Sequence, residues 1–164
     1  PREELLTTSK EQGLANIKVC LGGYVAENLK FGTTTTGVAD DLQKATAYAH
    51  AMVWKFGMGN NGYLGDYSII PESQISNELK EKLNQETQEI LQKCYQEVES
   101  LLKKEWKIME RFVSELLEKE ELEYDEIEAI FAEYGKNNQK GKQEATVGST
   151  NVIANEVKQS PNLT

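Results

Sequence analysis

Proline occurs only at positions 1, 71 and 161. Two long proline-free stretches remain, and no residue within them lacks the backbone N–H that a helix needs. His50 is the only histidine, so a pair of imidazole ligands cannot be written on this sequence. The two cysteines, Cys20 and Cys94, form neither a CxxC pair nor a metal-knuckle spacing. Each falls in an apolar helical row and reads as a small buried thiol, which fits a reducing compartment. No apolar run reaches the roughly 18 residues of a membrane-crossing helix. No basic segment followed by an apolar one marks a signal peptide. Basic residues are in deficit, 18 Lys and Arg against 27 Asp and Glu, for a net charge of −9. That sign repels phosphate backbones and excludes sequence-independent nucleic-acid binding. It also excludes docking on anionic membrane by charge alone. The sequence starts at Pro1 without an initiator Met and is expected to be a piece of something longer.

What is present reads as helix. The 164 residues suffice for one domain with a real core. Glu3, Glu4, Leu5 and Leu6 are possible helix residues, and Thr8 or Ser9 is a cap for the helix that follows. From Leu14, apolar residues recur at Ile17, Val19, Leu21, Val25, Ala26 and Leu29 in helical steps. Gly22 and Gly23 interrupt this row, each costing about 1 kcal/mol relative to Ala, so something is expected to pack closely against the backbone there. Gly32 is a suitable stop. Thr33 to Thr36 reads as a turn or short extended link. A second helix is expected from Thr36–Ala39 to about Phe56, with Leu42, Ala45, Ala49, Met52, Val53 and Phe56 as its apolar face and Gly57 closing it. Asp40 and Asp41 fall in its first turn, where the helix dipole favours negative charge.

Residues 58–70 change character: glycines, Asn60-Asn61 and alternating Tyr63, Leu64, Tyr67 and Ile69 predict a loop with a short strand or hairpin. Ser76 caps a long helix whose stripe is Leu79, Leu83, Ile90, Leu91, Cys94, Tyr95, Val98, Leu101 and Leu102, thin between Leu83 and Ile90 where only Thr87 bridges. Lys103 to Lys107 bends or breaks it. Trp106, Met109, Phe112, Val113, Leu116 and Leu117 continue at helical spacing. Asp125 as N-cap with Glu128 three residues on suggests an acidic capping box for a last helix carrying Ile127, Ile130, Phe131 and Tyr134, stopped by Gly135. The expected fold is therefore mainly all-α: a helical bundle of four to five helices with one short loop or hairpin around residues 58–70. The folded portion is residues 1–135, and residues 136–164 form a flexible polar tail. The segment NVIANEVKQS within that tail resembles translated interspersed repeats of bacterial genomes.

The ordered series LGGYVAENLKFG and TTTTGVADDLQKATAYAHAMVWKFGM resembles the C-terminal part of the peptidase domain of FtsH-type ATP-dependent zinc metallopeptidases. The residues that carry the likeness are Gly22, Gly23 and Glu27; Thr35, Thr36 and Gly37; Asp41 and Leu42; Ala45 and Thr46; and Met52, Val53, Gly57 and Met58. Tyr95, then Leu116, Leu117, Glu118 and Leu122, extend it through the later helices, to cover about residues 10–135.

The resemblance implies a zinc endopeptidase in which two histidines come from an H-E-x-x-H helix and the third ligand is the aspartate matched by Asp41. It implies zinc as cofactor, ATP at a separate module, unfolded or membrane proteins as substrates, and a hexameric ring. It also implies attachment to the cytoplasmic face of a bacterial inner membrane through an upstream anchor. The present sequence contains neither H-E-x-x-H nor the G-x-x-x-x-G-K-[ST] of an ATPase module. His50 has no neighbouring Glu and is not expected to bind zinc. Tyr24, Val25 and Asn28 depart from the residues usual around the Gly-Gly pair. This chain is therefore expected to be soluble, cytoplasmic and inactive alone, a rear half that supplies Asp41. The alternative expectation is a non-catalytic helical oligomerisation or interaction module.

Overall fold

The computed structural model describes residues 7–136. The helix residues proposed at Glu3–Leu6 and all but the first residue of the tail proposed at 136–164 lie outside them. Within the described residues there are five α-helices and no strand: α1 (Lys10–Phe31), α2 (Ala39–Trp54), α3 (Asn77–Lys104), α4 (Trp106–Lys119) and α5 (Tyr124–Glu133). Three short 3-10 turns lie in the links, at Thr36–Val38, Tyr67–Ile69 and Glu72–Gln74. The all-α expectation holds. The hairpin half of the expectation for residues 58–70 does not: that segment is an irregular strap with one 3-10 turn. Its alternating side chains are punctuated by Gly62 and Gly65, both at positive φ, which breaks the extended run that a strand requires.

Local chemistry sets the helix ends. The Ser9 hydroxyl accepts the Gln12 N–H at 3.2 Å and opens α1. Gly32, at φ 67°, closes it by donating to the Asn28 carbonyl at 2.9 Å, a left-handed position that suits glycine. Ser76 caps α3 by accepting the Leu79 N–H at 3.2 Å. The break expected near Lys103–Lys107 falls at Glu105.

The chain divides into two compact units, with the boundary between Trp106 and Lys107. In the first, α1, α2 and α3 each pack against the other two. Ile17, Leu21 and Val25 from α1, Ala45, Ala49, Met52 and Val53 from α2, and Leu83, Ile90, Cys94 and Val98 from α3 meet in one core. Burying each of the larger aliphatic side chains contributes about 1.5–3 kcal/mol. The core corrects the expected faces in three ways. Phe56 lies past the end of α2 and is exposed, whereas Trp54 is buried. Val19 and Leu101 face solvent. Gly22 and Gly23 pack against nothing: a Cβ at either would meet no atom within 4 Å. The close approach is at Gly13, where a Cβ would lie 3.0 Å from the Met52 sulfur.

In the second unit, α4 and α5 are joined by the Phe112 and Phe131 rings, 5.2 Å apart and edge to face, and by Arg111 Nε to Glu133 Oε2 at 3.2 Å. Lys119 bridges Glu115 at 3.1 Å and Glu126 at 2.6 Å. The capping box is set two residues earlier than expected, by Glu123 and Glu126. The Glu126 carboxylate accepts the Glu123 N–H at 2.9 Å, and the Lys119 ammonium beside it favours that register over Asp125 and Glu128.

Candidate functional site

The link from α1 to α2 is built from side chains on the helix it leaves. Glu27, one turn before the end of α1, accepts the Thr35 N–H at 2.7 Å and the Thr35 hydroxyl at 3.3 Å. That hydroxyl in turn accepts the Gly37 N–H at 3.3 Å. The relay fixes the 3-10 turn Thr36–Val38, whose Val38 is buried, and α2 starts directly from it. Asp40 and Asp41 therefore stand in the first turn of α2, both solvent-exposed. The Asp41 carboxylate lies 3.6 Å from the Lys44 ammonium and is about half exposed, so it is neither sequestered nor locked in the core. Leu42, Gln43, Thr46, Ala47 and His50 line an open, mainly apolar concavity of about 560 Å³ along α2, and Asp41 is not among its lining residues. The His50 ring stacks on Trp54, 4.9 Å away and within 10° of parallel.

Among the described residues no three His, Cys, Asp or Glu side chains converge as metal ligands. These residues therefore do not fit a complete zinc site, which takes three or four protein ligands; Asp41 could be only one of them.

Tyr95, central in α3, meets two of the residues that depart from the Gly-Gly pattern: the Tyr24 ring edge to face at 6.0 Å and the Asn28 amide at 3.5 Å. Cys94 is buried beside the Leu14 carbonyl, and burial pushes its thiol above the ordinary value of 9.0. Cys20 is half-buried. Both are free thiols, and the expectation of a small buried thiol holds for Cys94 and only in part for Cys20.

One group was not legible beforehand. Glu86 fills the thin part of the α3 stripe and is 1% exposed. Its Oε1 accepts the backbone N–H groups of Asn60 and, at 2.7 Å, Asn61. Next to it, the Thr87 hydroxyl donates to the Leu83 carbonyl at 2.8 Å. A polar residue at a stripe position is the only sequence signal for this arrangement.

Residues 1–130 match the profile described as Peptidase family M41. The chain is 30% identical over 142 residues to ATP-dependent zinc metalloprotease FtsH 4 of Sorangium cellulosum, covering 79% of this chain and 22% of that protein. It is 29% identical to ATP-dependent zinc metalloprotease FtsH of Endomicrobium trichonymphae, covering 96% of this chain and 26% of that one. A 59-residue stretch is 49% identical to the FtsH protein of Borreliella burgdorferi, covering 36% of this chain and 9% of the relative. The chain thus spans about a quarter or less of the curated relatives it matches. Among the described residues no helix is long and apolar enough to cross a membrane.

Proposed function

Because this chain belongs to peptidase family M41, we propose that it is part of an ATP-dependent zinc metalloendopeptidase and that Asp41 is the third zinc ligand. One observation carries the reading. The Glu27–Thr35–Gly37 relay presents Asp41 at the start of α2 with its carboxylate about half exposed, where a ligand completed by other residues has room. Zinc, when bound, would polarise a scissile carbonyl and acidify a bound water. This chain's part is to hold the carboxylate at a helix start, where the dipole favours negative charge. The two histidines and the ATPase module belong to sequence that this chain does not contain. Its substrates are proteins, and ring assembly and membrane attachment are properties of the complete enzyme.

The test is a chimera in which this chain replaces the corresponding span of the Sorangium cellulosum relative. With ATP and zinc it is expected to cleave an unfolded casein. Asp41→Ala is expected to abolish cleavage and lower zinc content with an unchanged far-UV circular dichroism spectrum. Unchanged cleavage by Asp41→Ala overturns the assignment, as does cleavage of casein by this chain alone with zinc.

A second reading is favoured by the second unit, where Val113, Leu116, Leu117, Phe131 and Tyr134 are exposed. Here the chain acts as a helical interaction module. It then forms a defined oligomer in light scattering and its chimera has no peptidase activity.

A further inference from the structure

We propose that Glu86 and Gly59 form a latch that fixes the strap between α2 and α3, with Lys10 as its second holding point. The proposal rests on geometry alone and does not depend on the peptidase reading. Glu86 is 1% exposed, and a buried polar side chain is tolerated only when polar groups meet it. What meets it is the strap itself: one oxygen takes two successive backbone N–H groups, those of Asn60 and Asn61. Among the described residues no donor reaches the other oxygen, Oε2.

That second oxygen lies against Gly59. A Cβ built there would be 2.6 Å from the carboxyl carbon and from both oxygens, closer than real carbon and oxygen atoms approach. The space of the missing side chain is the space the carboxylate uses. From α1, the Lys10 ammonium donates to the Gly59 carbonyl at 3.1 Å and to the Asn60 side-chain oxygen at 2.8 Å. Three consecutive residues, 59 to 61, are therefore held from two helices at once.

The rest of the strap makes few bonds of its own. Ile70 N–H reaches the Tyr67 carbonyl at 3.3 Å, the Asp66 carboxylate caps the turn by accepting the Ser68 N–H at 3.0 Å, and the Tyr67 hydroxyl donates to Leu64 at 3.3 Å. Met58, Tyr63 and Tyr67 rest half-buried on the core, while Leu64 and Ile69 stand in solvent. Towards its ends the segment is also tied by the Met58 N–H on the Met52 carbonyl at 2.7 Å and by Lys80 to Glu72 at 3.6 Å, and the latch is the tether of the stretch between them. Release of the latch is expected to free the strap while the helices stay packed.

Amide hydrogen exchange on this chain tests the latch. The Asn60 and Asn61 amides are expected to be protected. Glu86→Ala is expected to speed their exchange by at least about tenfold, with the Val25 amide in mid-α1 changed less than about threefold. Glu86→Gln, which keeps a carbonyl oxygen on the two amides, is expected to restore most of the protection. Unprotected Asn60 and Asn61 amides in the unaltered chain overturn the proposal without any variant, as does exchange indifferent to Glu86→Ala.

A thermodynamic cycle gives the second measurement. Gly59→Ala requires the carboxylate to leave its amides. It is expected to lower the folding constant at least about tenfold in the unaltered chain, but less than about threefold in the Glu86→Ala background. Additive effects overturn the latch.

Discussion

Glu27 and Thr35 are joined twice across the link between α1 and α2, through the threonine N–H at 2.7 Å and its hydroxyl at 3.3 Å. One carboxylate on the first helix thus sets where the second begins, and with it the position of Asp41. Glu27→Ala is expected to lower stability by about 1–2 kcal/mol, since it removes two hydrogen bonds to a charged acceptor. The urea midpoint measures this, and exchange at the Thr35 and Gly37 amides is expected to rise more than exchange in α3. Glu27→Gln keeps part of the effect.

Gly22 and Gly23 lie in mid-helix with open space around them. Alanine at either is expected to raise stability by about 0.5–1 kcal/mol, through higher helix propensity and a less flexible unfolded chain. Thermal midpoints check it, and a loss would restore the close crossing that the sequence suggested. Gly13→Ala is expected to raise stability less than either, because the Met52 sulfur must give way.

The two thiols are expected to react at very different rates. Cys94 is buried and its thiol is held above the ordinary 9.0 by burial, so at about pH 8 little thiolate forms. Cys20, half-buried, is expected to be labelled first by an aromatic disulfide reagent, at least about tenfold faster. Peptide mapping after timed labelling reads the order, and denaturant is expected to bring the two rates together.

Acid is expected to weaken the fold through paired carboxylates. The Lys18 ammonium bonded to Glu97 holds that carboxyl below 4.5. Arg111, then Lys119, do the same for Glu115, and Lys119 for Glu126. A lowered folded-state value means that the unfolded chain binds protons first. The contribution is therefore complete above about 4.5 and is lost as the pH falls toward each lowered value. Urea midpoints are expected to drop between about pH 5 and 3, less steeply in high salt because the pairs are exposed. Glu97's share is expected to vanish in Lys18→Gln. Lys18 is itself raised above 10.5 by Glu97, and its contribution fades only above that range.

How much of this was legible depends on how far each residue reaches. Ser9, Gly32 and Ser76 act within three or four positions of themselves, so their roles stood in the sequence. The capping box was ambiguous because Glu123 and Asp125 each have a Glu three residues on; Lys119, from the neighbouring helix, decided between them. The glycine pair misled because a missing side chain shows that close contact is allowed, not that it occurs. Asp41 was legible as a helix-start acid, and its suggested chemistry came from the motif series around it. Glu86 was hidden because its partners lie 25 and 26 positions away and a helical glutamate ordinarily faces water.

The contact between Gly13 and Met52 leaves the seam between α1 and α2 no room for a polar group. The Met52 thioether is 3% exposed and lies against bare backbone, with no neighbouring side chain on Gly13 to yield. A sulfoxide oxygen there would be a polar wedge between two packed helices. Burial shields that sulfur, so peroxide is expected to reach the half-buried Met58 and Met109 first, and oxidation of Met52, once it occurs, to part the two helices.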